Sequence, residues 1–178
     1  NENALYWVDW GGPPTCRFEP ETGKFETFPA DVPVTALARR ASGGLIAIAQ
    51  NGIYGWEPKT NQYNLIAGST QPNRPEIFYN DAAVDRQGRL VVGTFNMDDH
   101  FLPEGSLYRL DPDGSLHELD SGYATANGIG FSLDGKTVYV ADQRKWEIIA
   151  LDYDPVKGTT SNRRVFASIP KDEGQPDG

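Results

Sequence analysis

Basic residues, cysteine and long apolar runs are all scarce in this 178-residue chain. It carries 16 Lys and Arg against 25 Asp and Glu, for a formal net charge of −9. Nucleic-acid binding is therefore not expected, because phosphate contacts require clustered positive charge. No stretch approaches the roughly 18 apolar residues of a membrane-spanning helix, so membrane association is not expected either. A single cysteine, Cys16, excludes an internal disulfide bond.

The beginning of the chain lacks the marks of a secretory leader. NENALYWVD contains neither a positively charged segment nor an apolar run, so a cytoplasmic location is the expectation. The chain also begins without Met, a few residues before a strand-like segment. We therefore expect these residues to be part of a longer protein.

Turn-forming residues and aromatics are plentiful instead. The sequence has 19 Gly and 13 Pro, and 11% of its residues are aromatic. This composition favours short strands joined by turns over long helices. No window of ten or more residues has a helical pattern, and the chain is predicted to be all-β.

Two sequence features recur with a period of about 45 residues. One is a turn ending in glycine before an apolar strand, at Gly44, Gly88 and Gly135, which are 44 and 47 residues apart. The other is an acid-Pro pair after an aromatic residue or Leu, whose prolines lie at positions 20, 58, 112 and 155. The period matches a β-propeller with four strands in each blade.

The repeat divides the chain into four blades within a single partial β-propeller domain. The predicted blades are residues 1–34, 35–78, 79–125 and 126–174, and residues 175–178 begin a further blade. Residues 68–78 are expected to form a linker, and residues 96–105 an insertion in a hairpin. An unclosed propeller would expose blade edges, so self-association through them is also expected.

Three polar residues fall at nearly the same position of the repeat. Counting back eight residues from Gly135 and Gly88 leads to Asn127 and Asn80, and Asp177 lies 50 residues after Asn127. The first strand of a propeller blade is innermost, so these side chains are expected to converge on the central channel. Amide and carboxylate oxygens favour a divalent cation, first of all Ca²⁺, with Mg²⁺, Mn²⁺ and Zn²⁺ as other candidates.

Each of these residues also has a purely structural interpretation. Asn-Gly at 127–128 and Asp-Gly at 177–178 are common tight-turn dipeptides. Asn80 and Asp81 can likewise stabilise a turn through side-chain hydrogen bonds, and Asp81 is expected to do this rather than chemistry. Composition and spacing leave both interpretations open.

Several segments resemble the SMP-30/gluconolactonase/luciferin-regenerating enzyme family of six-bladed propellers. They extend over nearly the whole chain and are LYWVD, YNDAAVDRQGRLVVGT, GSLYRLDPDG, ANGIGFSLDGKTVYVAD, LDYDPVKGTTSNRRVF and the final PDG. The resemblance implies a metal-dependent lactonase that opens a sugar lactone to its aldonic acid. About four of the family's six blades would then be present in this chain.

The resemblance also implies roles for individual residues. Asn127 and Asp177 match metal ligands of the family, and Asp177 is expected to double as the acid and base. Asn80 matches a residue that contacts the bound water or the substrate. Asp98, in GTFNMDD, falls where many relatives place an acidic substrate contact.

Two departures from the family pattern bear on these expectations. Phe78 stands where the family usually has Arg, which suggests a less polar or different substrate. The G-E-x-P-x-W motif that carries the family's metal-binding Glu is absent, so these residues alone are expected to form an incomplete site. A non-catalytic binding scaffold and a calcium-dependent phosphotriesterase-like hydrolase remain the alternatives to a lactonase.

Overall fold

The computed structural model describes residues 3–9, 15–31 and 33–178. The chain forms two compact units, Asn1–Gly68 and Ser69–Gly178, each with sheets of its own. Parts of the predicted first blade, at residues 1–2, 10–14 and 32, lie outside the described residues.

The first unit contains two antiparallel sheets. In the described part of the chain the first sheet has three strands and the second has four, and each strand pairs with the next one in sequence. The strands are β1 (Leu5–Trp7), β2 (Thr15–Glu19), β3 (Lys24–Phe28), β4 (Val34–Arg39), β5 (Leu45–Ala49), β6 (Gly52–Glu57) and β7 (Gln62–Gly68). This succession is the β-meander expected of propeller blades.

Trp56 is the centre of the core in this unit. Its side chain is fully buried and contacts the rings of Tyr6 and Phe28 edge-on and the ring of Tyr63 in a stack. The indole N–H donates to the Asn61 side-chain oxygen at 3.1 Å, so burial leaves no polar atom of the indole unsatisfied. The aromatic residues of the sequence therefore act here as packing residues.

The second unit contains two four-stranded antiparallel sheets, again with sequential strands. One sheet comprises β8 (Ile77–Val84), β9 (Leu90–Asn96), β10 (Gly105–Leu110) and β11 (Leu116–Tyr123). The other comprises β12 (Ala126–Phe131), β13 (Thr137–Asp142), β14 (Glu147–Asp154) and β15 (Thr159–Ser168). Every residue of β9 and β10 is buried, whereas β15 is largely exposed.

Apolar residues from both sheets form one core in the second unit. Its buried members are Val91, Leu107, Tyr123, Ala126, Ile129, Val138, Val140, Ile149, Leu151 and Tyr153. The inner strands supply β-branched residues at alternating positions, which suit a pleated surface packed on one side. The faces of the two sheets are therefore held together mainly by burial of aliphatic and aromatic surface.

The structure confirms the all-β prediction and corrects one boundary. The hairpin insertion lies between the end of β9 at Asn96 and the start of β10 at Gly105, as predicted. The linker prediction, 68–78, is wrong at its carboxyl end because β8 already begins at Ile77. Ile77 is buried and pairs with Asn96, so a tertiary contact outweighs the turn-rich sequence that precedes it.

The described residues include two 3-10 turns, Gln143–Lys145 and Lys171–Glu173. Neither of these turns has the length or the apolar character that crossing a lipid bilayer would require of a helix.

A buried ionic network joins the two sheets of the second unit. The Asp85 carboxylate accepts hydrogen bonds from the Arg89 guanidinium and the Tyr153 hydroxyl, both at 2.7 Å. Arg89 also donates to the Pro155 carbonyl at 2.6 Å, which lies in the connection between β14 and β15. The network therefore links the β8–β9 turn to the neighbouring sheet, and each charged group has a partner.

Asp85→Ala is expected to destabilise the full protein by about 3–5 kcal/mol, because the buried Arg89 guanidinium would lose its carboxylate partner. Urea unfolding measures the free energy directly. Asp113→Ala is the matched control, since Asp113 is an exposed turn residue that accepts from the Ser115 backbone N–H, and should cost less than about 1.5 kcal/mol. Equal losses for the two variants would contradict a special role of the buried network.

The same network predicts a pH dependence. Burial opposes the charge of Asp85, but the hydrogen bonds from Tyr153 and Arg89 outweigh it and hold the pKa of Asp85 below its ordinary value of 3.8. The stabilising contribution is therefore complete above pH 3.8 and is lost as the pH falls through the lower pKa of the folded state. The difference in unfolding free energy between the wild type and Asp85→Ala should be constant from pH 7 to about 5 and shrink below pH 4.

Candidate functional site

The first strands of the two sheets in the second unit, β8 and β12, both contain a β-bulge. The pairing of β8 with β9 shifts between residues 79 and 82, and that of β12 with β13 shifts between residues 127 and 130. A bulge places two residues opposite one and redirects their side chains. Asn80 lies within its bulge and Asn127 immediately before its own, so their predicted equivalence holds to within one residue.

Side chains of the β8 bulge bind the backbone of β12 on both sides of Asn127. The Asn80 amide nitrogen donates to the Ala126 carbonyl at 3.0 Å, and the Asp81 carboxylate accepts from the Ile129 N–H at 3.2 Å. Gly93 of β9 permits this approach, because a Cβ there would lie 2.8 Å from the Ala126 carbonyl oxygen. The two bulges are therefore joined by hydrogen bonds that run between sheets.

Asn127 and Asp177 are in direct contact. The Asn127 side-chain amide donates a hydrogen bond to the Asp177 carboxylate, across 50 residues of sequence. Gly128 makes room for the terminal segment: its φ is +47°, and a Cβ on it would lie 2.9 Å from the Asp177 carbonyl oxygen. Two of the predicted site residues are thus brought together by the structure.

Arg144 holds the segment that carries Asp177. Its guanidinium donates to the Gln175 side-chain oxygen at 2.8 Å and lies 5.6 Å from the centre of the Phe101 ring. Gln175 precedes Asp177 by two residues, and Phe101 belongs to the loop between β9 and β10. No sequence pattern marked Arg144, because its contacts depend on how distant segments meet.

Asp98 lies in that same loop and is exposed. The Asn96 side-chain oxygen accepts from the Asp98 and Asp99 backbone N–H groups at 2.8 and 3.1 Å, and Thr125 donates to the His100 carbonyl at 3.1 Å. These bonds fix the loop beside the start of β12. Among the described residues, no hydrogen bond joins the Asp98 side chain to Asn80, Asn127 or Asp177, and its role stays a prediction.

Asp81 and Asp177 give this region an acidic character. Burial raises the pKa of the Asp81 carboxyl above its ordinary value, and the nearby Asp177 carboxylate raises it further against the N–H groups of Ala82 and Ile129. None of the ion pairs formed by the described residues involves Asp81 or Asp177. Two carboxylates that form no ion pair with a described residue therefore lie on either side of this region, at Asp81 and Asp177.

This donor set fits an oxygen-ligated cation in its chemistry. An asparagine amide oxygen beside a carboxylate provides the hard ligands that Ca²⁺ and Mg²⁺ take. The described residues contain no group of three or more His, Cys, Asp or Glu side chains that could hold a metal ion. A cation here would therefore depend on amide oxygens and water as well as on carboxylates.

The structure adds Asp81 to the candidate site. The sequence predicts that the Asp81 side chain stabilises its own turn by hydrogen bonding, and the carboxyl does interact with the Ala82 N–H. It also reaches the backbone of the next sheet at Ile129. Only knowledge of how β8 and β12 meet could have revealed that second bond.

Comparison with known proteins identifies the family. The sequence model of the family described as the SMP-30/Gluconolactonase/LRE-like region matches residues 1–178. The chain belongs to this family. Regucalcin of Xenopus laevis is 34% identical over 185 residues, and the match covers 99% of this chain and 60% of regucalcin. A Bacillus subtilis protein described as a candidate sugar lactone lactonase, YvrE, is 33% identical over 181 residues, covering 98% and 59%.

Solved structures agree with the family assignment. A luciferin-regenerating enzyme superposes with a TM-score of 0.87 at 28% identity, covering 99% of this chain and 61% of that one. A gluconolactonase from Xanthomonas campestris gives a TM-score of 0.81 at 27% identity, covering 98% and 61%. A calcium-binding regucalcin from Agrobacterium tumefaciens, at 20% identity and a TM-score of 0.84, shows the fold alone. These neighbours confirm the predicted β-propeller class.

The chain spans about 60% of the length of the curated relatives that it matches. The family is thus established for these residues, whereas the activity of the whole protein is a matter for proposal.

Gly128→Ala is expected to destabilise the full protein by about 1–2 kcal/mol, because φ +47° is unfavourable for a residue with a Cβ. The new methyl would also press on the Asp177 carbonyl. Gly130→Ala is the matched control in the same strand: a Cβ there meets nothing within 4 Å, and this variant should be as stable as the wild type or more stable by up to about 1 kcal/mol. Thermal unfolding that ranks the two variants in the opposite order would contradict this packing of the terminal segment.

Proposed function

We propose that the protein containing this chain is a divalent-cation-dependent hydrolase that opens a sugar lactone to its hydroxy acid. The contact between the Asn127 amide and the Asp177 carboxylate carries the proposal. In this contact a side-chain amide and a carboxylate lie side by side at the start of β12, which supports their assignment as an oxygen ligand and a base. Family membership and the names of the relatives, a gluconolactonase and a candidate sugar lactone lactonase, support the substrate class.

The side-chain oxygens of Asn127 and Asp177 would hold the cation, and Ca²⁺ suits this set best. Zn²⁺, Mn²⁺ and Mg²⁺ are the other candidates. A cation bound there would supply a Lewis acid for the ester carbonyl and positive charge for the developing oxyanion. Asn127 also orients the carboxylate, because its amide donates to one of the two Asp177 oxygens.

Asp177 acts as the general base in the proposed reaction. Its carboxylate takes a proton from a water molecule while the water oxygen bonds to the carbonyl carbon. The bond between that carbon and the ring oxygen then breaks, and Asp177 returns the proton to the departing oxygen. The products are one carboxylic acid and one hydroxyl group, so one lactone and one water are consumed.

Other residues would contact the substrate rather than the reacting atoms. The Asn80 amide nitrogen donates to the Ala126 carbonyl, and Asn80 is the residue proposed to contact the bound water or the substrate. Asp98 would accept a hydrogen bond from a sugar hydroxyl. Phe78 packs edge-on against Phe95 at 6.1 Å between ring centres, which favours a less polar lactone than an Arg at that position would.

A small-molecule lactone is thus the proposed partner. Self-association through exposed edge strands also stays a proposal. A non-catalytic binding scaffold and a phosphotriesterase-like hydrolase are outcomes that the experiment below distinguishes from a lactonase.

Asp177→Asn in the full protein is expected to lower kcat for lactone opening by about 10²–10⁴-fold, because the proton acceptor is lost. Glucono-δ-lactone with added Ca²⁺ is the assay substrate, and acid release in a pH-stat is the measurement. Asp172→Asn is the matched control, since Asp172 is exposed in the same terminal segment and should leave kcat within about twofold.

Two results would overturn the proposal. Unchanged kcat in Asp177→Asn would remove the assigned base. A wild-type protein that binds Ca²⁺ without opening lactones, or that hydrolyses a phosphotriester such as paraoxon in preference to them, would support a scaffold or a phosphotriesterase instead.

A further inference from the structure

Two consecutive side chains of β8 hold the backbone on either side of Asn127. Asn80 binds the Ala126 carbonyl, one residue before Asn127, and Asp81 binds the Ile129 N–H, two residues after it. Both β8 residues lie in the bulge between residues 79 and 82. A regular strand would turn successive side chains to opposite faces of its sheet, so the bulge is what lets both reach β12.

The backbone that they hold is interrupted in its ladder pairing with β13. The ladder between β12 and β13 is interrupted from residue 127 to residue 130, and Gly128 in this gap has a φ of +47°. Glycine is the residue with the widest choice of backbone conformations. The backbone on the carboxyl side of Asn127 therefore lacks regular ladder pairing over this gap, and contacts outside the ladder must fix the bulge.

The Asp81 carboxylate is that external restraint. Its bond to the Ile129 N–H spans the gap in the ladder and ties the far side of the bulge to β8. Ile129 is buried in the core, so this N–H would otherwise be poorly placed to meet water. The bond thus satisfies a buried donor and fixes the direction of the strand that carries Asn127.

We propose that Asp81 is a positioning residue for the cation site, acting through the backbone bulge of β12 rather than by touching the cation or the substrate. The inference rests on the proposed cation site at Asn127 and Asp177. In metal sites generally, losing a residue that orients a ligand lowers metal affinity by about 10–100-fold. Asp81 would do the same for Asn127 through its bond to the Ile129 N–H.

Three variants of the full protein test the idea by calorimetric titration with Ca²⁺. Asp81→Ala removes the acceptor and should weaken Ca²⁺ binding by about 10–100-fold. Asp81→Asn keeps an oxygen for the Ile129 N–H and should bind within about threefold of the wild type. Asp134→Ala removes a carboxylate that accepts a backbone N–H at the opposite end of the β12–β13 hairpin, and should leave Ca²⁺ affinity unchanged whatever its effect on stability.

Amide hydrogen exchange provides a second measurement that does not depend on activity. The Ile129 N–H should exchange at least tenfold faster in Asp81→Ala than in the wild type and at a near wild-type rate in Asp81→Asn. In Asp134→Ala its exchange should be unaffected. A merely structural role would lower the unfolding midpoint without separating Asp81→Asn from Asp81→Ala in Ca²⁺ affinity.

The outcomes separate this inference from the proposed function. Wild-type affinity in Asp81→Ala, with the wild type binding Ca²⁺, overturns the positioning role and leaves the lactonase proposal standing. A more than tenfold loss in Asp81→Asn overturns it too, because the charge and not the hydrogen bond would then matter. If Asp81→Ala does not fold, the Ca²⁺ affinity of Asp81→Asn decides the question. Absence of Ca²⁺ binding in the wild type overturns both proposals.

Discussion

The close approach of β12 to the β8–β9 hairpin is the constraint on which the candidate site depends. It requires a glycine at position 93, because any side chain there would collide with the Ala126 carbonyl. With that space open, the Asn80 side chain reaches Ala126 and the Asp81 carboxylate reaches Ile129. Hydrophobic burial brings the two sheets together, but it has no direction. The polar bonds between the bulges are what set the position of Asn127.

Two carboxylates of the second unit, one at the β8–β9 turn and one in the β8 bulge, have opposite electrostatic environments. At the turn end, Asp85 is matched by the Arg89 guanidinium and a tyrosine hydroxyl, so its charge is neutralised and its pKa falls. At the other end, burial first and the nearby Asp177 carboxylate second raise the pKa of Asp81. An ion pair stabilises a fold, whereas a carboxylate that lacks an ion-pair partner, such as Asp177, favours a nearby cation. The contrast favours the bulge end as the functional one.

Much of the fold could be predicted from the sequence, and the site only in part. The glycine-ended turns and the period of about 45 residues predict sequential short strands, because turn chemistry is local. Equal spacing from Gly88 and Gly135 predicts that Asn80 and Asn127 are equivalent, and the bulges of β8 and β12 show that they are offset by one residue. The bond from Asp81 to Ile129 and the Arg144 contact with Gln175 could not be predicted, since both depend on how separate segments meet in three dimensions.

The offset between the two asparagines shows why equal spacing does not imply equal function. Asn80 lies inside a bulge and its amide nitrogen holds Ala126 of the neighbouring strand. Asn127 lies just before a bulge and its amide nitrogen holds the Asp177 carboxylate. The two asparagines are offset by one residue in similar strands. The Asn80 amide therefore binds a backbone carbonyl, and the Asn127 amide binds a carboxylate. Equal distance from a turn glycine therefore does not guarantee the same structural position, and the two asparagines bind different groups for that reason.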